Sequence, residues 1–133
     1  MAVAGWIVDK SAAARAADPA IGPQMLELAG SLFLCQVGEL EQLYSARSAR
    51  DYQLLKADLH ASFDIVSAPA DLLDRALALQ EALAEHHGMW HRTPIPDLLI
   101  AATALHHGLG VLHVDGDFER IAEVCPLTVR RLG

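Results

Sequence analysis

Short apolar runs alternate with longer segments of helical periodicity along this chain. The apolar runs have the length and composition of strands; they are Gly5–Asp9, Ser31–Val37, Phe63–Ala68, Gly110–Asp115 and Leu127–Leu132. Between them, apolar residues recur at the three- and four-residue spacing of helices that bury one face; these segments are 22–30, 38–61, 69–88 and 95–108. The pattern predicts strands that alternate with helices, with the last strand at an edge of the sheet.

Particular residues predict where the helices begin and end. Ser48 is a typical N-cap, and it would divide segment 38–61 into two helices. Pro96 stands where a first helical turn tolerates proline, and Gly108 stands where a helix commonly ends.

Strands separated by helices of this length pair in parallel, and their crossover connections are right-handed. We therefore predict an α/β fold: a three-layer α/β/α sandwich around a mostly parallel sheet of about five strands. The 133 residues suffice for one such domain, and we assign residues 1–133 to it. In such sheets, ligands bind beyond the carboxyl ends of the strands.

Composition narrows the possible functions. The formal net charge is −7, so the chain is poorly suited to hold a nucleic-acid backbone by charge alone, and a polyanionic substrate would need a cation. Cys35 and Cys125 lie far apart and form no metal-binding spacing, which favours two small buried thiols in a reducing compartment. No apolar run approaches the length of a membrane span. We expect a cytoplasmic protein with no membrane partner.

Acidic residues follow the strands at the edge where ligands bind. Asp9 ends the first run, Asp115 ends the fourth with Asp117 just beyond it, and Asp97 lies in a first helical turn. Carboxylates gathered at one edge repel one another unless a cation lies among them, and oxygen ligands suit Mg²⁺ or Mn²⁺. Singly, each residue also fits a turn or a helix start. Their shared position favours a metal site.

Four segments carry a resemblance to a known family. IVDKSA (7–12), GELEQLYSARS (38–48), IPDLLIAATALHHG (95–108) and VLHVDGDFERIA (111–122) resemble PIN-domain ribonucleases, above all the VapC-type toxins of bacterial toxin–antitoxin pairs. The resemblance covers nearly the whole chain. It implies a metal-dependent endoribonuclease that hydrolyses RNA phosphodiester bonds with Mg²⁺ or Mn²⁺ and inhibits translation or growth.

The resemblance also implies which residues act. The catalytic carboxylates would be Asp9, Glu41, Asp97, Asp115 and Asp117. Of these, Asp9, Asp97 and Asp115 would be the metal ligands.

The family's glutamate has two candidates in this chain, Glu39 and Glu41. Residues two apart on a helix point about 200° apart, so only one of the two would face the site. The spacing of the family's motif favours Glu41. We expect Ser11, Lys10 and Arg47 to bind substrate.

The implied partners are an RNA substrate, a cognate antitoxin and a second copy of the chain as a homodimer. Two other functions remain open. One is a Mg-binding, receiver-like signalling domain, although the last run, LTVRRL, offers arginines where a receiver has a lysine. The other is a non-catalytic PIN-like scaffold that binds RNA or protein, which has no need to keep repelling carboxylates together.

Overall fold

The computed structural model describes residues 3–13, 15–87, 92–114 and 116–133. Within these ranges the strands are β1 (Trp6–Val8), β2 (Leu32–Cys35), β3 (Asp64–Val66), β4 (Gly110–His113) and β5 (Val129–Arg131). The helices are α1 (Lys10–Ala13), α2 (Gly22–Glu27), α3 (Gln36–Leu43), α4 (Ala49–Ser62), α5 (Leu72–His87), α6 (Ile95–His107) and α7 (Asp117–Ile121).

The strands form one sheet in the order β3-β2-β1-β4-β5, and each adjacent pair is parallel. The predicted α/β fold with a five-stranded sheet is confirmed, and β5 lies at an edge as expected. From β1 the chain builds outward through β2 and β3, then returns to the other side of β1 for β4 and β5. The order therefore reverses between β1 and β4, which is where open parallel sheets form a ligand-binding crevice.

The core lies on both faces of the sheet because side chains of a strand alternate between its faces. Ile7 and Val111 are fully buried in a cluster with residues of α5, α6 and α7. Their neighbours Val8 and Leu112 are fully buried in another cluster with Met25 of α2. Helices thus cover both faces and give the predicted three layers.

The helix ends predicted at Ser48 and Gly108 are confirmed, and a cap or turn determines each of them. The Ser48 hydroxyl accepts the Asp51 N–H at 3.0 Å and begins α4. Gly108 ends α6 with φ of 67°, in the left-handed region that favours glycine. The second strand stops at Cys35, two residues earlier than its apolar run, because the Cys35 sulfur accepts the Gly38 N–H and caps α3. Within the described ranges, no helix is both long and apolar enough for a bilayer crossing.

Candidate active site

A cavity of about 390 Å³ lies beyond the carboxyl ends of β1 and β4, where the strand order reverses. We call it the acidic cavity; it is lined by Asp9, Lys10, Ser11, Arg15, Glu41, Pro94, Pro96, Asp97 and Asp117. Four of the five carboxylates predicted to be catalytic therefore border one space. They come from the end of β1 and from the helices α3, α6 and α7.

Asp9 is positioned by both its backbone and its side chain. It follows Val8 at the end of β1 and is 3% exposed. Its N–H donates to the Leu112 carbonyl of β4 at 2.9 Å. Its Oδ2 accepts two hydrogen bonds from Ser11, from the N–H at 3.1 Å and from the hydroxyl at 2.7 Å. The carboxylate thus caps the first turn of α1 and has one fixed orientation at the cavity.

Ser11 connects the ends of two strands. While its hydroxyl donates to Asp9, the same oxygen accepts the Val114 N–H at 3.0 Å. Val114 directly follows β4 and is 103 residues away in sequence. The hydroxyl proton of Ser11 is therefore engaged by Asp9, and the side chain links Asp9 to the chain just after β4.

Asp97 enters the cavity from the first turn of α6 and is 8% exposed. The positive end of the helix dipole favours a carboxylate at this position. Small residues let α6 pack close to its neighbours: Ala101, Ala102 and Ala104 are almost fully buried. The small-residue helix seen in the sequence thus holds Asp97 at the sheet.

Glu41 is the glutamate that lines the cavity, and Glu39 is not among the lining residues. The carboxylate of Glu39 instead contacts the imidazole of His60 on α4. Burial raises the pKa of the Glu41 carboxyl above its usual value, the negative charge of Asp9 raises it further, and Lys10 offsets part of this rise. Its Oε1 is buried and has no hydrogen-bond partner among the described residues.

Of the two aspartates predicted to follow β4, the structure describes Asp117 but not Asp115. Asp117 begins α7 and lines the cavity. Asp115 lies outside the described residues, so its predicted position as a metal ligand stays a prediction.

The residues predicted to bind substrate do not all lie together. Lys10 and Ser11 line the acidic cavity, whereas Arg47 lines a separate cavity beside Ser48, at the turn between α3 and α4. Arg15 lines the acidic cavity and was missed by the sequence analysis. Arg15 lies in the turn beyond the end of α1, so helical spacing from Ser11 could not have indicated it.

The chemistry of the cavity fits a hard divalent cation. All the anionic groups are carboxylates, the ligand type that Mg²⁺ and Mn²⁺ prefer. Burial, and after it the negative charge of Asp9, raises the pKa of the Glu41 carboxyl, and its buried Oε1 has no hydrogen-bond partner among the described residues, so a cation between Glu41 and Asp9 would stabilise the ionised form. Among the residues that the structure describes, no three His, Cys, Asp or Glu side chains converge closely enough to hold an ion by themselves. That set does not include Asp115.

Comparison with known proteins identifies related sequences over most of the chain. The family described as PIN domain matches residues 3–124. Ribonuclease VapC17 of Mycobacterium tuberculosis is 54% identical over 121 residues, which are 91% of this chain and 90% of that protein. Ribonuclease VapC21 of the same organism is 41% identical, over 90% of this chain and 87% of that protein.

Solved structures share the fold at low sequence identity. A chain of VapBC2 from Rickettsia felis, bound to a promoter DNA fragment, has a TM-score of 0.75 and 15% identity, with 95% of this chain and 97% of that chain covered. A chain of VapBC-5, a toxin–antitoxin system of Mycobacterium tuberculosis, has a TM-score of 0.67 and 20% identity, with coverage of 96% and 98%.

Proposed function

Because this chain belongs to the PIN-domain family, we propose that it is an endoribonuclease that hydrolyses RNA phosphodiester bonds at the acidic cavity. The observation that carries the proposal is the meeting of Asp9, Glu41, Asp97 and Asp117, from four separate elements, around one space. Curated relatives that share up to 54% of their residues with this chain are named ribonucleases.

We assign Mg²⁺ or Mn²⁺ as the cofactor, with Asp9, Asp97 and Asp115 as its ligands. When bound, such an ion supplies charge that neutralises the phosphate and lowers the pKa of water. The two hydrogen bonds from Ser11 fix the Asp9 carboxylate before any ligand arrives. Ser11 is therefore a positioning residue for Asp9, because its hydroxyl is already engaged.

The remaining residues of the cavity bind and orient the substrate. Lys10 and Arg15 bring positive charge to a cavity whose other charged groups are acidic, and they are placed to contact phosphate oxygens. The buried Oε1 of Glu41 is available to accept a hydrogen bond from the attacking water. The local cations explain how a chain of net charge −7 can hold RNA at this place.

The partners follow from the same relationship. The proposed biological role is that of the toxin of a toxin–antitoxin pair, with a cognate antitoxin that silences it; the VapBC neighbours support this role. Leu73 and Leu77, one turn apart on α5, are 70% and 61% exposed and support a homodimer through this helix. The free thiols Cys35 and Cys125 fit the reducing cytoplasm.

The test is cleavage of single-stranded RNA by purified protein with Mg²⁺, Mn²⁺ or EDTA. Asp9→Asn and Asp97→Asn should each lower cleavage by at least roughly 100-fold and leave the circular dichroism spectrum unchanged, because each removes a charge but no volume. Asp58→Asn, an exposed change on α4, is the matched control and should cleave like the parent chain. Full activity of Asp97→Asn, or cleavage in EDTA, would refute the assignment.

A further inference from the structure

A second cavity, of about 370 Å³, adjoins the acidic cavity. We call it the side cavity; it is lined by Lys10, Val37, Leu40, Glu41, Tyr44 and Pro96. Lys10, Glu41 and Pro96 line both cavities. The two spaces therefore share a wall, and whatever fills the side cavity lies directly beside the proposed site of cleavage.

The other wall of the side cavity is an apolar stripe on α3 and its C-cap. Val37, Leu40 and Tyr44 lie on the same helical face as Glu41, at spacings of three and four residues. The helix does not bury this face: Leu40 is 68% exposed and Tyr44 is 88% exposed. The packing that brings Glu41 to the acidic cavity thus leaves a tyrosine and a leucine uncovered next to it, at least by the residues that the structure describes.

We propose that the side cavity binds one nucleobase of a single-stranded RNA, adjacent to the scissile phosphate, with the ring of Tyr44 stacked on the base. This inference rests on the proposed ribonuclease function and adds a substrate feature to it. Leu40 and Pro96 would contact the base edges, and Lys10, which faces both cavities, would bind the phosphate that joins base and cleavage site.

Covalent continuity favours a nucleobase as the occupant of the side cavity. A phosphate held in the acidic cavity carries its flanking nucleosides with it, and the side cavity is a space that shares a wall with that cavity. Aromatic side chains beside cations are how proteins hold single-stranded nucleic acid, since every base has a π face to stack. In a double helix the bases are stacked on one another and unavailable, so the substrate region should be an unpaired strand or loop.

The test uses Tyr44→Ala and Tyr44→Phe in cleavage of single-stranded RNA. Stacking of one base is worth 1–3 kcal/mol, so Tyr44→Ala should lower kcat/KM by roughly 5- to 150-fold, at 1.4 kcal/mol per tenfold. Tyr44→Phe keeps the ring and should retain cleavage. Tyr52→Ala, which removes the tyrosine that lines the separate cavity between α3 and α4, is the matched control and should behave like the parent chain.

A modified substrate tests the stacking partner itself. RNA with one abasic nucleotide beside the scissile phosphate should be cleaved more slowly by the parent chain, and Tyr44→Ala should add little further loss on that substrate. Losses that multiply independently, or equal loss in Tyr44→Ala and Tyr44→Phe, would overturn the base subsite. Sedimentation of each variant tests whether a second copy of the chain occupies the apolar stripe instead. If Tyr44→Ala turns a dimer into a monomer, a second copy binds there and the inference is wrong.

The two proposals fail in different ways. If the parent chain cleaves RNA and Tyr44→Ala cleaves it equally well, the base subsite is wrong and the ribonuclease function stands. Both proposals are overturned if two results are found together. The parent chain cleaves no RNA with Mg²⁺ or Mn²⁺, and its affinity for RNA is no higher than that of Asp97→Asn measured without metal.

Discussion

Replacing Ser11 with alanine tests how the proposed active site is held together. The substitution removes one oxygen atom that makes two hydrogen bonds, one to the Asp9 carboxylate at 2.7 Å and one from the Val114 N–H at 3.0 Å. Asp9 keeps the N–H of residue 11 as a donor, because that group belongs to the backbone. The variant therefore loosens Asp9 and detaches it from the end of β4 without removing any charge.

The magnitude follows from these two bonds. A hydrogen bond to a charged group contributes about 1.5–3 kcal/mol, and a buried donor left without a partner costs about 1–3 kcal/mol. Asp9 is buried, but Ser11 and Val114 are only partly buried, so water can replace part of the loss. We expect the free energy of unfolding to fall by about 2 kcal/mol, which lowers the Tm of a chain of this length by roughly 6–8 °C.

Urea unfolding monitored by circular dichroism measures the loss, and RNA cleavage measures its effect on the site. Groups that orient metal ligands typically change affinity or activity by about 10- to 100-fold when removed, and we expect a loss in that range for Ser11→Ala. Ser45→Ala is the matched control: its hydroxyl donates to the Gln42 carbonyl at 2.8 Å on an exposed turn. That variant should differ from the parent chain by less than about 0.5 kcal/mol and cleave RNA normally.

The reasoning fails if Ser11→Ala is as stable as Ser45→Ala, since the link between β1 and β4 would then contribute nothing. It also fails if stability falls but cleavage is unchanged, because the orientation of Asp9 would then not matter to the reaction.

Two further predictions concern groups with shifted pKa values. Burial and the charge of Asp9 raise the pKa of the Glu41 carboxyl, so ionisation of Glu41 destabilises the metal-free protein as the pH rises above the unfolded-state pKa of about 4.3. Glu41→Gln has no such ionisation and should lack this loss. Urea unfolding in EDTA at a series of pH values should show that the free energy of unfolding of Glu41→Gln, relative to the parent chain, increases towards neutral pH. Burial raises the pKa of the Cys35 thiol to about 11, so at pH 8 roughly one molecule in a thousand carries the thiolate, and Cys35 should resist iodoacetamide in the native state.

Each of these two predictions has its own control. Glu27→Gln, an exposed change on α2, is the matched control for the loss of one carboxylate. An advantage of Glu41→Gln over this variant that is constant with pH would contradict the assigned cause. Guanidinium should make both Cys35 and Cys125 react fully, and mass spectrometry of the native protein that finds Cys35 modified early would show that it is not buried as described.

The order of elements and the parallel sheet could be predicted from the sequence because they depend on local pattern. Apolar runs of five to seven residues separated by helices leave parallel pairing as the natural arrangement, and crossover handedness then limits the topology. The same pattern placed Asp9 and Asp117 at the ligand-binding edge, because both follow strands that end there. Helix ends such as Ser48 and Gly108 were predictable because capping involves only neighbouring residues.

The tertiary structure decided which side chains meet. Helix geometry alone predicted that Glu39 and Glu41 point in different directions. The packing of α3 determined that Glu41 lines the cavity with Asp9 while Glu39 contacts His60. The bridge from Asp9 through Ser11 to Val114 spans 103 residues, so no local pattern could indicate it. Likewise, periodicity shows that a helix has an apolar face, but long-range packing decides whether that face is covered. For this reason the sequence determined the acidic character of the site, while tertiary packing determined which residues line it and left a tyrosine exposed beside it.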